Sequence, residues 1–228
     1  MLPVAPELRP LLPGLRRGST VAVTGAGSLV PALLAPASAG GAWIAVVGMP
    51  GFGALAAAQA GVALERLVLV PRPGPEWVTV VAALLDGLDV VVVAPPGPVA
   101  ARVAGRLAAR VRQHGNVLVP YGRWAGADLA LTTDPGTWQG LGTGRGRLRC
   151  RELTITAHGR GAAARPSQVR VLLPDPAGRL APAPPAGSGT TRPSLTVIGG
   201  GRRWPAADAV RAVTVGRTSV FTGRGSQR

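Results

Sequence analysis

The chain has 228 residues, a formal net charge of +15 and 25 basic residues, all of which are arginine. This length, with 46% hydrophobic residues, allows one substantial domain with an appendage, and the lone Cys150 excludes an internal disulfide and a cysteine-based zinc site. The positive charge would attract either nucleic acid or an acidic protein, so it does not indicate which of the two is the partner.

Composition divides the chain into three segments. Residues 1–17 form a Pro-rich lead-in without a clear element, and residues 18–173 form the domain. Residues 174–228 form a basic Pro/Gly-rich tail, which we expect to be mostly disordered. Two strand-like patches lie within this tail, at 195–198 and 212–215.

Within the domain, alternating strands and helices give way to short strands of period two. A run of four valines between Asp89 and Ala94 is typical of a central parallel strand covered on both faces. The predicted strands of the first part are 20–24, 43–48, 67–70, 89–94 and 117–120, and the helices are 28–39, 54–60, 76–86 and 98–113. The later strands are 127–133, 137–141, 147–158 and 168–173. This order predicts an α/β fold with a mainly parallel central sheet covered by helices, followed by an antiparallel meander.

Residues 18–64 contain no charged side chain, so a membrane span or an export signal has to be considered. Arg16 and Arg17 precede this stretch, and the triplet 37–39 is similar to a cleavage site. However, prolines and glycines interrupt any spanning helix, and the stretch divides into short strands and helices. We therefore expect a cytoplasmic protein that does not associate with a membrane.

The first predicted strand leads into a turn of small residues, where phosphate-binding ATPases carry the motif G-x-x-x-x-G-K-[ST]. The turn consists of Gly25, Ala26, Gly27 and Ser28. In the motif, the lysine reaches the outer phosphates and the hydroxyl holds magnesium. Here Leu29, Val30 and Pro31 stand where the second glycine, the lysine and the hydroxyl are required. We therefore predict a degenerate loop, no cofactor, no metal and no catalytic residue.

Arginine and tryptophan side chains are the candidates for an interaction surface. Four arginines alternate along one predicted strand and share one face, which could follow a phosphate backbone or face an acidic partner. The same row could equally be a solvated edge strand that resists aggregation. Trp124 and Trp138 fall in turn-rich segments and are interface candidates, although partial burial is the commoner fate of tryptophan. The arginines are Arg145, Arg147, Arg149 and Arg151 in the strand, with Arg202 and Arg203 in the tail.

Three stretches, at 13–25, 61–67 and 88–94, carry a family resemblance. Over about residues 8–173 the chain resembles the RecA-type core and, more closely, the RecA-like accessory proteins called ImuA and ImuA-prime. The resemblance implies a RecA-like fold and a role in the bacterial SOS response to DNA damage. The partners it implies are an ImuB-type inactive polymerase relative, RecA, and a replicative-type polymerase in error-prone translesion synthesis.

One further position and one short stretch also depart from the RecA motifs. Ala94 stands where an aspartate that orders magnesium is expected, and residues 49–51 lack the glutamate that would activate water. With the lysine also missing, the resemblance implies a pseudo-ATPase that acts as an adaptor and is not an enzyme. Two alternatives stay open: a basic DNA-binding accessory protein, and an inhibitor of RecA or of cell division.

Overall fold

The computed structural model describes residues 1–141, 146–159, 165–184 and 195–196. The strands are β1 (Ser19–Thr24), β2 (Ile44–Val47), β3 (Leu67–Val70), β4 (Val90–Val93), β5 (Val117–Pro120), β6 (Leu129–Thr133), β7 (Thr137–Leu141), β8 (Gly146–Gly159), β9 (Ser167–Leu172), β10 (Ala181–Pro182) and β11 (Leu195–Thr196). The helices are α1 (Leu29–Ala39), α2 (Ala54–Ala60), α3 (Trp77–Leu85) and α4 (Ala101–His114), with short 3-10 helices at Pro6–Leu8 and Leu64–Arg66.

A single mixed sheet organises the described residues. Its strand order is β10-β9-β8-β6-β1-β5-β4-β2-β3, and β7 pairs with β8 and with β11. Strands β1 to β6 run parallel. Strands β7 to β11 join by antiparallel pairs, and β8 pairs antiparallel with β6. The predicted α/β fold, with a mainly parallel sheet followed by an antiparallel meander, is confirmed.

The centre of the sheet is buried on both faces, as the valine run predicts. In β4, Val90 and Val92 pack into the core that contains α1 and α2, whereas Val91 and Val93 pack into the core that contains α3 and α4. This division follows from the two-residue alternation of side chains along a strand. The central strands therefore hold two helical layers together and fix the ends of β1, β2 and β4 relative to one another.

Helix α4 illustrates why the amphipathic pattern is informative. Ala104, Leu107 and Val111 lie on its buried side, while Arg102 and Arg106 are exposed. The outward-facing Arg110 donates to the carboxylate of Asp86, at the end of α3, which lowers the pKa of that carboxyl through the hydrogen bond. The helix is thus attached to the sheet by its apolar stripe and to its neighbour by charge.

The lead-in contains more structure than the sequence predicts. Pro6–Leu8 is a 3-10 helix, and Leu2 and Leu15 pair through both of their backbone groups. Leu8 and Leu15 are fully buried in the core next to α1. The sequence does not predict this arrangement, because the proline-rich lead-in carries neither a helical nor a strand repeat of apolar residues.

The first part of the predicted tail also belongs to the described structure. Ala181 and Pro182 pair with β9, and the Asp175 carboxylate closes the preceding turn by accepting from two backbone N–H groups. Strand β11 coincides with the predicted patch at 195–198 and pairs with β7. The rest of the tail, with the patch at 212–215, lies outside the described residues. Among the helices of the described ranges, none has the length and apolar character needed to cross a membrane.

We expect Asp89→Asn to reduce the free energy of unfolding by about 1–2 kcal/mol at neutral pH. The Asp89 carboxylate joins three parts of the fold, because it accepts from Arg17 at 2.8 Å and from the Trp43 N–H at 3.0 Å at the start of β4. Burial alone raises the pKa of Asp89, but the hydrogen bonds from Trp43 and Arg17 outweigh burial, so the pKa lies below its ordinary value.

A lowered pKa in the folded state gives a definite pH dependence. The contribution of Asp89 to stability is complete above the pKa of an unfolded aspartate and is lost as the pH falls through the folded value. Urea unfolding measured across the acidic range should therefore show a shallower pH dependence for Asp89→Asn than for the natural chain. Glu65→Gln, which removes the same charge from an exposed position, is the control. Equal losses in the two variants would contradict this role of Asp89.

Candidate functional site

The loop Gly25–Ser28 joins the end of β1 to the start of α1, which is the strand–turn–helix context of a phosphate loop. Gly25 has φ +103°, and a Cβ atom there would lie 2.3 Å from the Thr133 Oγ1. Only glycine can occupy this position without strain and a clash. Gly25 therefore lets the loop pack directly against the end of β6.

Side chains of the protein itself occupy hydrogen-bonding groups of this loop. The Ala26 N–H donates to the Thr133 Oγ1 at 2.7 Å, and the Tyr121 hydroxyl donates to the Gly25 carbonyl at 2.6 Å. The Ser28 hydroxyl accepts from the Arg151 Nη2 at 2.9 Å. Three separate elements of the sheet therefore hold the loop in place, and one backbone N–H that could face an anion is already used.

Arg151 is the most constrained charged side chain at the loop. Its Nε donates to the Leu173 carbonyl at 3.2 Å, and its guanidinium lies 5.0 Å from the centre of the Trp138 ring. Burial lowers the pKa of Arg151, and the negative charge of Asp134 opposes this shift. An arginine side chain nevertheless stays protonated in proteins, so a fixed positive charge contacts the loop.

The positions that follow the loop belong to the core. Leu29 and Val30 are fully inaccessible to solvent, and Pro31 is buried. Ala94 is partly exposed at the end of β4. No group of three or more His, Cys, Asp or Glu side chains in the described ranges could hold a metal ion. Apolar side chains of the core therefore stand at the positions where a phosphate loop carries its lysine and hydroxyl.

The structure brings together only some of the predicted interaction residues. Arg151 and Trp138 meet at the loop, whereas Trp124 lies elsewhere, packed against the α3/α4 core. Trp124 and the exposed Arg123 line a groove of about 480 Å³ beside the start of α4. Arg147 and Arg149 belong to β8, but their side chains lie outside the described part of the structure. Arg145, Arg202 and Arg203 lie outside the described residues altogether.

Tyr121 and Thr133 are contributors to the site that the sequence analysis does not identify. Each stands at the carboxyl end of a parallel strand next to β1, which is the edge of an α/β sheet where functional groups converge. The sequence could indicate these two residues only by their position, because each lies at the end of a predicted strand or directly after one. The partner of each hydroxyl follows only from the order of the strands.

The strand order and the strand–turn–helix loop define a RecA-like fold. The structure is similar to that of the RadB recombinase, with a TM-score of 0.58 over 78% of this chain and 97% of that chain. The two sequences are 15% identical, so this likeness shows the fold alone.

The chain belongs to the MT3502 N-terminal domain family, whose model matches residues 10–126. It is 40% identical over 116 residues to uncharacterized protein Rv3395c of Mycobacterium tuberculosis (strain ATCC 25618 / H37Rv). That alignment covers 50% of this chain and 57% of the relative, so the chain spans little more than half the length of this relative.

Proposed function

We propose that the chain is a non-catalytic RecA-like adaptor in the bacterial response to DNA damage. In this role it supports error-prone translesion synthesis by holding other proteins together. One observation carries the proposal: the loop that would bind phosphate is bound instead by Tyr121, Thr133 and Arg151. The loop lies in the strand–turn–helix context of a phosphate loop, and internal contacts already use part of its hydrogen-bonding capacity, which supports a non-catalytic role.

The chemistry of phosphoryl transfer supports the absence of hydrolysis. Such a reaction depends on positioning and on charge stabilisation by a lysine and a magnesium ion. At this loop the lysine position is the buried Val30, and Ala94 supplies no carboxylate for magnesium. Arg151 brings a positive charge, but two of its hydrogen bonds already go to Ser28 and Leu173.

The proposed partners are an ImuB-type inactive polymerase relative, RecA, and a replicative-type error-prone polymerase. The resemblance to the ImuA and ImuA-prime proteins supports this choice, and so does the RecA-like fold that the chain shares with a recombinase. The net charge of +15 favours a partner with an acidic surface or a partner already bound to DNA.

We expect that the purified full chain neither hydrolyses ATP nor becomes more stable when magnesium and ATP are added. Phosphate release should equal that of protein-free buffer. The melting temperature should also stay the same, because a nucleotide that bound the folded state would raise it: at a hundred times its Kd, a ligand stabilises the folded state by about 2.7 kcal/mol. A RecA-type ATPase with an intact loop serves as the positive control. Magnesium-dependent turnover would contradict the non-catalytic role.

Co-purification tests the adaptor role itself. The full chain should retain a tagged ImuB-type protein on a resin, and a form that ends after Thr196 shows whether residues 197–228 are needed. This truncation preserves every described element, including β11. If neither form retains the ImuB-type protein or RecA, the adaptor role fails.

A DNA-binding accessory function is the second candidate, and the exposed Arg102, Arg106 and Arg123 favour it. Binding of single-stranded DNA should then weaken steeply with salt, because each neutralised phosphate releases counterions. Fluorescence anisotropy across a salt series measures this slope. An affinity that does not depend on salt excludes direct binding through these arginines.

A further inference from the structure

A second groove, of about 400 Å³, lies at the carboxyl ends of β2, β3 and β4. Two proline-rich turns, 71–75 and 94–96, form most of its wall, and Gly48 completes it. Strand β5 separates it in the sheet from β1 and the loop Gly25–Ser28. Its volume suits one or two side chains of a binding partner.

The wall of this groove offers few hydrogen-bond donors. Prolines have no N–H group, and five of the lining residues are proline. The N–H of Gly48 donates to the Val70 carbonyl at 2.9 Å, and that of Ala94 donates to the Val47 carbonyl at 2.9 Å. A phosphate site needs several converging N–H groups, so this groove is unsuited to a nucleotide or a nucleic-acid backbone. Proline rings instead favour contact with an apolar or aromatic group.

Among the described residues that line the groove, Arg72 is the charged one, and it is exposed. Within the described ranges, Arg72 forms no ion pair. Glu76 is the nearest acidic residue in the sequence, but its carboxylate accepts from the Thr79 hydroxyl at 3.4 Å. The guanidinium of Arg72 is therefore available to a carboxylate from another molecule, and such charged hydrogen bonds are the strong ones.

The backbone around the groove is rigid before anything binds. Each proline fixes its own φ angle, and Gly48 lies so close to β4 that a Cβ atom would be 2.2 Å from the Ala94 carbonyl oxygen. A rigid wall spares the entropy that ordering a flexible one would cost. The groove is therefore preformed for an apolar group that enters beside Arg72.

We propose that this groove docks a segment of a partner protein in which an aromatic side chain stands next to a carboxylate. The aromatic side chain contacts the prolines, and the carboxylate pairs with Arg72. The inference rests on the proposed adaptor function and gives that function a contact surface. It commits to a protein partner, because a wall rich in proline and poor in backbone N–H groups suits an apolar side chain better than a phosphate chain.

A random peptide library selected on the full-length chain tests the proposal. We expect enrichment of peptides that combine an aromatic with an acidic residue. Their affinity, measured by fluorescence anisotropy, should fall about tenfold or more for Arg72→Glu and again for Pro96→Glu, because each change places a negative charge at the groove. The matched controls are Arg165→Glu and Pro166→Glu, which make the same changes at exposed positions next to β9, near the opposite edge of the sheet from β2 and β3.

Each outcome of this experiment is decisive. Loss of binding confined to the groove variants supports the proposal, provided that their circular dichroism matches that of the controls. Equal losses in all four variants would indicate general charge attraction and overturn it, as would a selection that enriches no acidic and aromatic peptides. Displacement of the peptides from the groove by a single-stranded oligonucleotide would assign the surface to nucleic acid instead. ATP turnover would end the non-catalytic role but would leave peptide binding at Arg72 intact, so the two failures are distinguishable.

Discussion

Val30→Lys is expected to unfold the domain instead of creating a nucleotide site. Val30 lies in the first turn of α1, where the lysine of a phosphate loop is required, and its side chain is fully buried in the core. An ammonium group at this position would lie in the apolar core, away from water. A buried charge without a partner costs about 3–5 kcal/mol, which is a large part of the stability of an ordinary domain.

Urea unfolding of Val30→Lys measures this loss, and Val30→Met is the control. Methionine adds comparable length without charge, so it reports overpacking alone, at about 1–3 kcal/mol. The difference between the two variants is the cost of the charge. A Val30→Lys protein that is as stable as the natural chain and binds magnesium and ATP would show that the loop still accepts a nucleotide.

The order of strands and helices could be predicted from the sequence because each element carries its own repeat. The valine run of β4 and the apolar stripe of α4 are local patterns, and both elements lie within a few residues of their predicted bounds. The lead-in could not be predicted in this way. Leu2 and Leu15 meet across a turn, and both are buried in a core that also contains residues of α1 and β9, which only the folded chain brings together.

The contacts at the candidate site were even less predictable from local sequence patterns. The departures from the phosphate-loop motif are visible at adjacent positions, whereas the contact between Arg151 and Ser28 joins residues 123 positions apart. Alternation along β8 predicts that Arg151 shares a face with other arginines, but it does not identify that face. In the structure Leu153 and Ile155, on the same side of the strand, are buried in the α1 core, so Arg151 points toward the loop.

Gly48→Ala is expected to lower the free energy of unfolding by about 2–5 kcal/mol. Gly48 has φ +76°, and a Cβ atom would lie 2.2 Å from the Ala94 carbonyl oxygen. That oxygen belongs to the backbone at the end of β4, where the Ala94 N–H is held by the Val47 carbonyl, so it cannot move aside without breaking the pairing of the two strands. The variant combines left-handed strain with a backbone clash.

Gly115→Ala separates the two contributions. Gly115 has φ +68°, and a Cβ atom there would meet nothing within 4 Å, so its replacement measures the strain alone. Thermal or urea unfolding measures the loss of stability in both variants, and the difference between the two losses is the energetic cost of the clash at Gly48. If the two losses are equal, β2 and β4 can separate at their ends, and the rigid wall of the proline groove is not present.

The place of β1 in the sheet has a consequence for synthesis on the ribosome. Its two neighbours are β5, which pairs Ser19 with Val117, and β6, which pairs Val21 with Leu129. At about 5–20 residues per second, the nascent chain waits several seconds before either neighbour emerges. During that time the uncharged stretch 18–64 is exposed, so we expect newly made chains to depend on a chaperone that shields apolar segments.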